Sequence, residues 1–430
     1  MKKFWVKLLC FLVPVKKYRK RLKNLLMDKL GGEAASALHP RAKGNVLVSY
    51  MKDSLLLKDN DIRLKYHTNR WENREIARIF YDLGYNVDCI DFNAGFRPAH
   101  QYDIMFDIVG RFDEFEKFLK PGALKMLHLT GSYGCYNNAR ERERLAYLER
   151  RRGIKLLPER VSSEDGDGRL EAADVCSLVG NEHTLNTYPE WSRSKIKLIN
   201  LTGSQLRRVK TPGEYYPRER EFLWMGGAGP VHKGLDLLLE VFARHPEWTL
   251  NVMSKINKKS KFYQLYKKEL TAFPNIHFHG LVMPSSEKFG QIVSRCFAYI
   301  NPSCAEATST ATVTALSVGL FPIISYDNGF TLPEGCGMYL DKCSVEEIEE
   351  AIRRLWLKNP EEVRGEIGKV HQMTLKNFSR ENFRRNMQKY LAEQIKIHFD
   401  AKAKPAPRSE NKQGKDLSLI HISEPTRPLY

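Results

Sequence analysis

Two α/β domains, each a doubly wound, mainly parallel sheet, are what this sequence predicts, and three observations predict it. Short apolar runs recur along the chain as buried strands, with helical periodicity between most of them. A stretch rich in breakers, Gly203 to Arg220 with Pro212, Gly213 and Pro217, interrupts that alternation midway. The length, 430 residues, suits two domains of ordinary size with tails.

In order along the first half, Asn45 to Tyr50 reads as the first strand, and a helix follows around Glu72 to Leu83. Asn86 to Ile90, Asp103 to Ile108, Leu124 to Leu129, Val175 to Val179 and Ile196 to Ile199 read as further strands. Residues 44–205 thus form one domain, 206–220 the linker and 221–380 the second domain. The second domain repeats the alternation, with strands at 222–225, 249–253, 276–278, 297–301 and 321–325 and a helix near Val345 to Trp356. Residues 381–396 form a closing helix, and 397–430 a polar tail too poor in apolar residues to bury a core. Within that tail, residues 417–430 read as translated sequencing-adapter sequence and are set aside from fold reasoning.

Composition narrows the function. A hydrophobic share of 42% with 28% charged residues excludes a disordered chain and a multi-span membrane protein. The net charge of +18 points to an anionic partner: nucleic acid, a phospholipid surface or phosphorylated substrates. Eight scattered cysteines without a CxxC pair suit free thiols in a reducing cytoplasm. Residues 1–31 carry two apolar stripes, Trp5, Leu8, Leu9, Leu12 and then Tyr18, Leu22, Leu25, Leu26, beside a run of lysines and arginines. Such a segment fits the surface of an anionic membrane, and Lys7 and Pro14 leave its apolar run too short to span one. A helix packed on the protein itself and a secretion signal are the other readings. The expected location is the cytoplasmic face of the cell membrane.

The richest motif opens the second domain. The strand Phe222 to Met225 turns at Gly226-Gly-Ala-Gly-Pro-Val-His-Lys-Gly234 into a helix whose Leu235, Leu238, Leu239 and Phe242 share one face. Lys233 and Gly234 then sit at a helix start, where unpaired amides and the helix dipole favour a phosphate and lysine adds a point charge. Further on, Tyr299 to Glu306 leads into Ala307-Thr-Ser-Thr-Ala-Thr312, a loop that lays hydroxyls and amides at another helix amino terminus.

These segments resemble the donor domain of retaining GT-B glycosyltransferases, the family 4 or group 1 type, over residues 220 to 380. Gly227, Lys233, Gly234 and Glu306 match that family's motifs, whereas Ala228 stands at its loop arginine and Thr314 at its second glutamate. The resemblance implies a nucleotide-diphosphate sugar as co-substrate, with no other cofactor and no metal. It implies that Lys233 offsets charge on the leaving diphosphate, that Glu306 contacts the transferred sugar, and that Thr308, Ser309, Thr310 and Thr314 hold donor hydroxyls and phosphate. Met283, after the strand Ile276 to Phe278, falls where the family cups the base. His232 is the nearest basic substitute for the arginine missing at Ala228.

In the first domain, His128 at a strand's carboxyl end is a candidate to line the sugar site, with Asn181 and Glu182 on the acceptor side; a structural histidine and a helix cap are the bland alternatives. Asp165-Gly-Asp167 resembles a metal-binding DxD but lies in a Ser/Gly loop and reads as a turn. The charged run Arg140 to Arg152 reads as a solvated helix face laced with i, i+4 pairs, or as a guide for a phosphorylated lipid acceptor. The function expected is transfer of a sugar from a nucleotide-diphosphate donor to a cell-envelope glycan or lipid-linked acceptor, with retention implied by the resemblance. Ala228 and Thr314 keep open a non-catalytic GT-B subunit that binds glycans or a partner. A nucleic-acid binder lacks any recognition motif here.

Overall fold

A computed structural model describes residues 33–162, 166–206 and 221–403. The expected membrane segment 1–31, most of the linker and the tail from 404 onward lie outside the described residues, as does Asp165.

Two sheets form, in the places the apolar runs predict. The first contains β1 (Ala35–Ala37), β2 (Asn45–Tyr50), β3 (Asn86–Asp91), β4 (Tyr102–Asp107), β5 (Leu119–Leu129), β6 (Val175–Leu178) and β7 (Ile196–Leu198), in the order β1-β3-β2-β4-β5-β6-β7. Every pairing is parallel except β1 with β3. The second contains β8 (Glu221–Gly226), β9 (Thr249–Ser254), β10 (Ile276–Gly280), β11 (Cys296–Asn301), β12 (Phe321–Ser325) and β13 (Met338–Leu340), all parallel, in the order β10-β9-β8-β11-β12-β13. Strand order reverses at β2 and at β8, so the crevices for ligands open at the carboxyl ends of those two strands.

The sequence reading lacks several short helices, among them Asp53–Leu56 and Ile62–Tyr66, and three further elements. β1 and β13 have three residues each, too few to show a pattern, and β1 is held at the sheet edge through Ser36 on Asp88. The helix Pro360–Asn377 starts at a proline behind the Asn359 cap, a start signal the periodicity search passed over.

The closing helix, Arg380–Ala403, runs past its expected end, and residues 397–403 are helical, not tail. Ile395 and the partly buried Phe399 continue its apolar face by one more turn. Phe383, Met387, Tyr390 and Leu391 are fully or almost fully buried in the core of the first sheet, beside Val46, Phe80 and Phe106. This helix therefore completes the first domain.

A second crossing runs the other way. The helix Gly134–Arg152, called α1, follows β5, yet Leu145 and Leu148 belong to the core of the second domain. Its charged run is a solvated face only in part: Arg142, Glu143, Glu149 and Arg150 are exposed, while the other arginines are engaged. Arg151 pairs with Asp236 at 2.5 Å and Glu240 at 2.6 Å, both on the helix Leu235–Arg244, called α2. Arg152 pairs with Glu269 at 2.8 Å, Arg140 with Asp327 at 3.1 Å, and Arg144 donates to the Pro302 carbonyl at 2.9 Å. The pair Arg140–Glu143 stays within the helix. The sequence could not show this, because the acidic partners lie roughly a hundred or more residues away.

Asp236 is completely buried, so truncating its partner strands a carboxylate in the core. Arg151→Ala is expected to lower unfolding stability by about 3–5 kcal/mol. The exposed Arg353→Ala is expected to stay within about 0.5 kcal/mol. Urea unfolding of both variants checks the contrast.

Candidate active site

The carboxyl ends of both sheets open on one cavity of about 650 Å³ between the domains. Tyr50 closes β2 on one wall, with Thr130 after β5 and Val179 after β6. Gly226 and Gly227 after β8, Leu281 and Val282 after β10, and the segment from Glu306 to Thr314 after β11 make the other.

Lys233 and Glu306 meet at its floor. The lysine is carried by the turn before α2, whose Lys233 carbonyl accepts the Trp224 indole N–H at 3.1 Å. Its ammonium is paired directly with the Glu306 carboxylate, and both side chains are only about a tenth exposed. Burial alone would raise the Glu306 carboxyl, but Lys233, Arg160 and His232 together outweigh it and hold it below its ordinary value. Glu306 is therefore a fixed carboxylate at neutral pH, an acceptor of hydrogen bonds and not a proton donor.

The loop beyond Glu306 is shaped by its neighbour after β12. The Glu306 amide donates to Asp327 O at 2.9 Å, the Ser309 amide to Asn328 O at 3.1 Å, and the Thr308 hydroxyl to Gly329 O at 2.9 Å. Gly329 has φ of +70°, and a Cβ there would lie 1.2 Å from the Ala307 carbonyl oxygen, so only glycine fits. Ser309 caps the helix Thr310–Ser317, called α3, whose amino end faces the cavity.

Of the residues the sequence singled out, Gly227, Lys233, Glu306, Thr308, Ser309, Thr310 and Thr314 line this one cavity. Gly234 lies behind it, packed against Pro302. Met283 does not line it, although Val282 and Pro284 on either side do. Thr314 Oγ1 donates to Thr310 O at 2.7 Å, so it offers a ligand only its lone pairs.

Further expectations are corrected. His128 does not face the cleft: its ring is completely buried, with Nδ1 2.8 Å from Ser177 Oγ and the Tyr50 and Phe106 rings on either side. Burial pushes its pKa down to about 4, which keeps it neutral. Asn181 caps the short helix Glu182–Asn186, accepting from the Thr184 amide, and its side-chain amide bonds Thr331; neither it nor the exposed Glu182 lines the cavity. His232 turns away from the cavity to Ala305 O at 2.5 Å, Cys304 Sγ at 3.5 Å and Glu141 at 3.6 Å. Asp167 begins a short helix and takes the Tyr133 hydroxyl at 2.8 Å.

Arg160 and Tyr50 also line the cavity and were missed. Arg160 sits in an irregular loop, Leu157 to Ser162, where no periodicity marks a position. Among the described residues no three His, Cys, Asp or Glu side chains cluster as metal ligands, no helix is long and apolar enough to cross a membrane, and the buried Cys89, Cys176, Cys296, Cys304, Cys336 and Cys343 form no disulfide.

The buried His232 gives the site a pH signature. Burial would lower its pKa, but Cys304 and the Glu141 carboxylate raise it to about 9. A raised folded pKa stabilises fully below the unfolded value, about 6.5, and that contribution is lost as pH climbs through 9. Urea midpoints of the wild type are expected to fall between pH 6.5 and 9, more steeply than those of His232→Gln.

Known proteins agree with this geometry at the level of fold and domain. Residues 219–358 match the family described as glycosyl transferases group 1. The structure is similar to sucrose-phosphate synthase from Thermosynechococcus elongatus, at 14% identity over 83% of this chain and 99% of that one, with a TM-score of 0.53. It is similar to Anabaena HepE, solved with UDP-glucose, at 11% identity over 81% of this chain and 100% of that one, TM-score 0.54. Two local sequence likenesses are to probable endonuclease 4 of Geobacillus kaustophilus, 26% identical over 98 residues, and of Listeria welshimeri, 28% over 116. Those stretches cover 21% and 24% of this chain, and the chain spans only 33% and 39% of the length of these curated relatives. The fold is GT-B, two Rossmann-like domains across a cleft, and its second domain carries the group 1 glycosyl transferase match.

Proposed function

We propose that this protein transfers a sugar from a nucleotide-diphosphate donor, held mainly by the second domain, to a hydroxyl of a cell-envelope glycan or lipid-linked acceptor entering over the first. The observation that carries the reading is the meeting of Lys233, Glu306 and the amino end of α3 in one cavity at the strand ends of both sheets. The Lys233 ammonium and the α3 dipole are placed to take a diphosphate. The fixed Glu306 carboxylate suits hydroxyls of the sugar.

In the reaction the bond from the anomeric carbon to the diphosphate oxygen breaks, and the nucleoside diphosphate leaves with the electron pair. The acceptor oxygen bonds to that carbon and passes its proton to an oxygen of the departing diphosphate, which has gained the electron pair. Charge grows on the leaving diphosphate, and a preorganised ammonium in a largely buried site stabilises it far more than water would. Closure of the cleft over the donor would keep water from competing as acceptor. We include retention of configuration in the proposal, on the resemblance of the second domain. The nucleotide sugar serves as co-substrate, and the proposal assigns no metal or further cofactor. Residues 1–31 would hold the enzyme to an anionic membrane, where a lipid-linked acceptor resides.

Melting of the full chain with UDP, GDP, ADP and CMP tests the donor site. One nucleotide at a hundredfold its dissociation constant is expected to add about 2.7 kcal/mol of stability, and Lys233→Ala to abolish the effect. No shift with any of them at millimolar concentration would favour the non-catalytic subunit instead.

A further inference from the structure

We propose that Arg160, from the first domain, is the second cation on the donor diphosphate, so that the donor is gripped from both domains at once. This deepens the reading above and rests on it. The glycine turn holds a single ligand-facing cation, Lys233, because Ala228 is an exposed methyl and His232 is buried away from the cavity. A diphosphate carries more negative charge than one lysine offsets. Arg160 lines the cavity beside Gly226, Gly227, Lys233 and Glu306, and its charge is among those that hold the Glu306 carboxyl down.

Everything about Arg160 except its guanidinium is fixed. Its amide donates to both Glu141 oxygens at 3.0 Å, and its carbonyl accepts from Asn137 Nδ2 at 2.5 Å. Its stem lies over Gly229, where an added Cβ would come within 2.5 Å of Arg160 Cγ and 3.1 Å of Cδ. Gly229 has φ of +77°, and its amide reaches Glu159 Oε2 at 3.3 Å. The glycine turn and the arginine loop are thus built around each other across the domain boundary. The guanidinium itself makes no hydrogen bond or ion pair among the described residues. A planar fork held by its stem, beside a lysine at a helix start, matches two phosphate oxygens. Glu141 is the positioning residue: on α1 it holds the Arg160 backbone and lies 3.6 Å from His232 of the turn.

The number of phosphates separates this role from a structural one. Calorimetric titration of the full-length wild type, Arg160→Ala, Arg160→Gln and Lys233→Ala would use UDP, GDP and ADP, each beside its monophosphate. Glutamine keeps part of the stem packing if alanine fails to fold. For the diphosphate that binds wild type, loss of Arg160 is expected to weaken binding by about ten- to a hundredfold. Affinity for its monophosphate should change by about twofold or less, and the melting point of unliganded Arg160→Gln, which keeps most of the stem, should stay close to wild type. Unchanged diphosphate affinity in both Arg160 variants, with affinity lost in Lys233→Ala, would overturn the inference and leave the donor site standing. Equal losses for mono- and diphosphate would overturn it as well, marking Arg160 as structural. Failure of wild type to bind any of the six nucleotides would overturn the donor reading itself.

Discussion

The docking of α1 against the second domain sets the geometry of everything in the cleft. Its leucines are buried in a core that belongs to the other sheet, and its Arg151 and Arg152 end on carboxylates of the other domain. Removing those charges from water costs several kcal/mol per ion, which their attraction returns only when the geometry is held closely. A small rotation of one domain would break that geometry, so the observed arrangement is favoured over its neighbours. Arg152 also lies over the Tyr266 ring, which adds cation–π attraction to the same contact.

That docking reaches the chemistry through Asp327. Its carboxylate takes the Tyr136 hydroxyl at 2.6 Å, Arg140 at 3.1 Å and His183 at 3.0 Å, all from the first domain. Its backbone oxygen takes the Glu306 amide. One residue of the second domain is therefore both the anchor for the first and the brace for the proposed sugar-contacting carboxylate. Any loosening of the domains would be felt at Glu306 before it was felt in either core.

The fold was legible because parallel strands buried on both faces are apolar throughout, and every such run became a strand. The second-domain site was legible too: Lys233, Glu306 and Thr308 to Thr310 lie on turns directly after strands, where sequence order fixes spatial order. What could not be read depends on pairs distant in sequence. His128 carried the right position along its strand, but whether it faces the cleft or the core is decided by Tyr50, Phe106 and Ser177. His232 was adjacent in sequence to the site and turned away from it, because Glu141 and Cys304 offered a buried cation better partners. Arg160 had the opposite fate, entering the cleft from a loop without pattern. The charged run of α1 read as solvent-facing because its partners, Asp236, Glu240 and Glu269, are invisible at local range.

The last helix has a consequence for how the protein is made. Phe383, Met387, Tyr390, Leu391 and Ile395 fill the core of a sheet whose own strands all lie before residue 199. On the ribosome that core stays incomplete, packed on this face mainly by the helix Thr68–Asp82, while nearly two hundred further residues emerge. The second domain, whose strands lie between residues 221 and 340, has its sheet complete while the first is still open. The order of synthesis and the order of completion are thus inverted. The period of exposed apolar surface is when this chain most needs a chaperone.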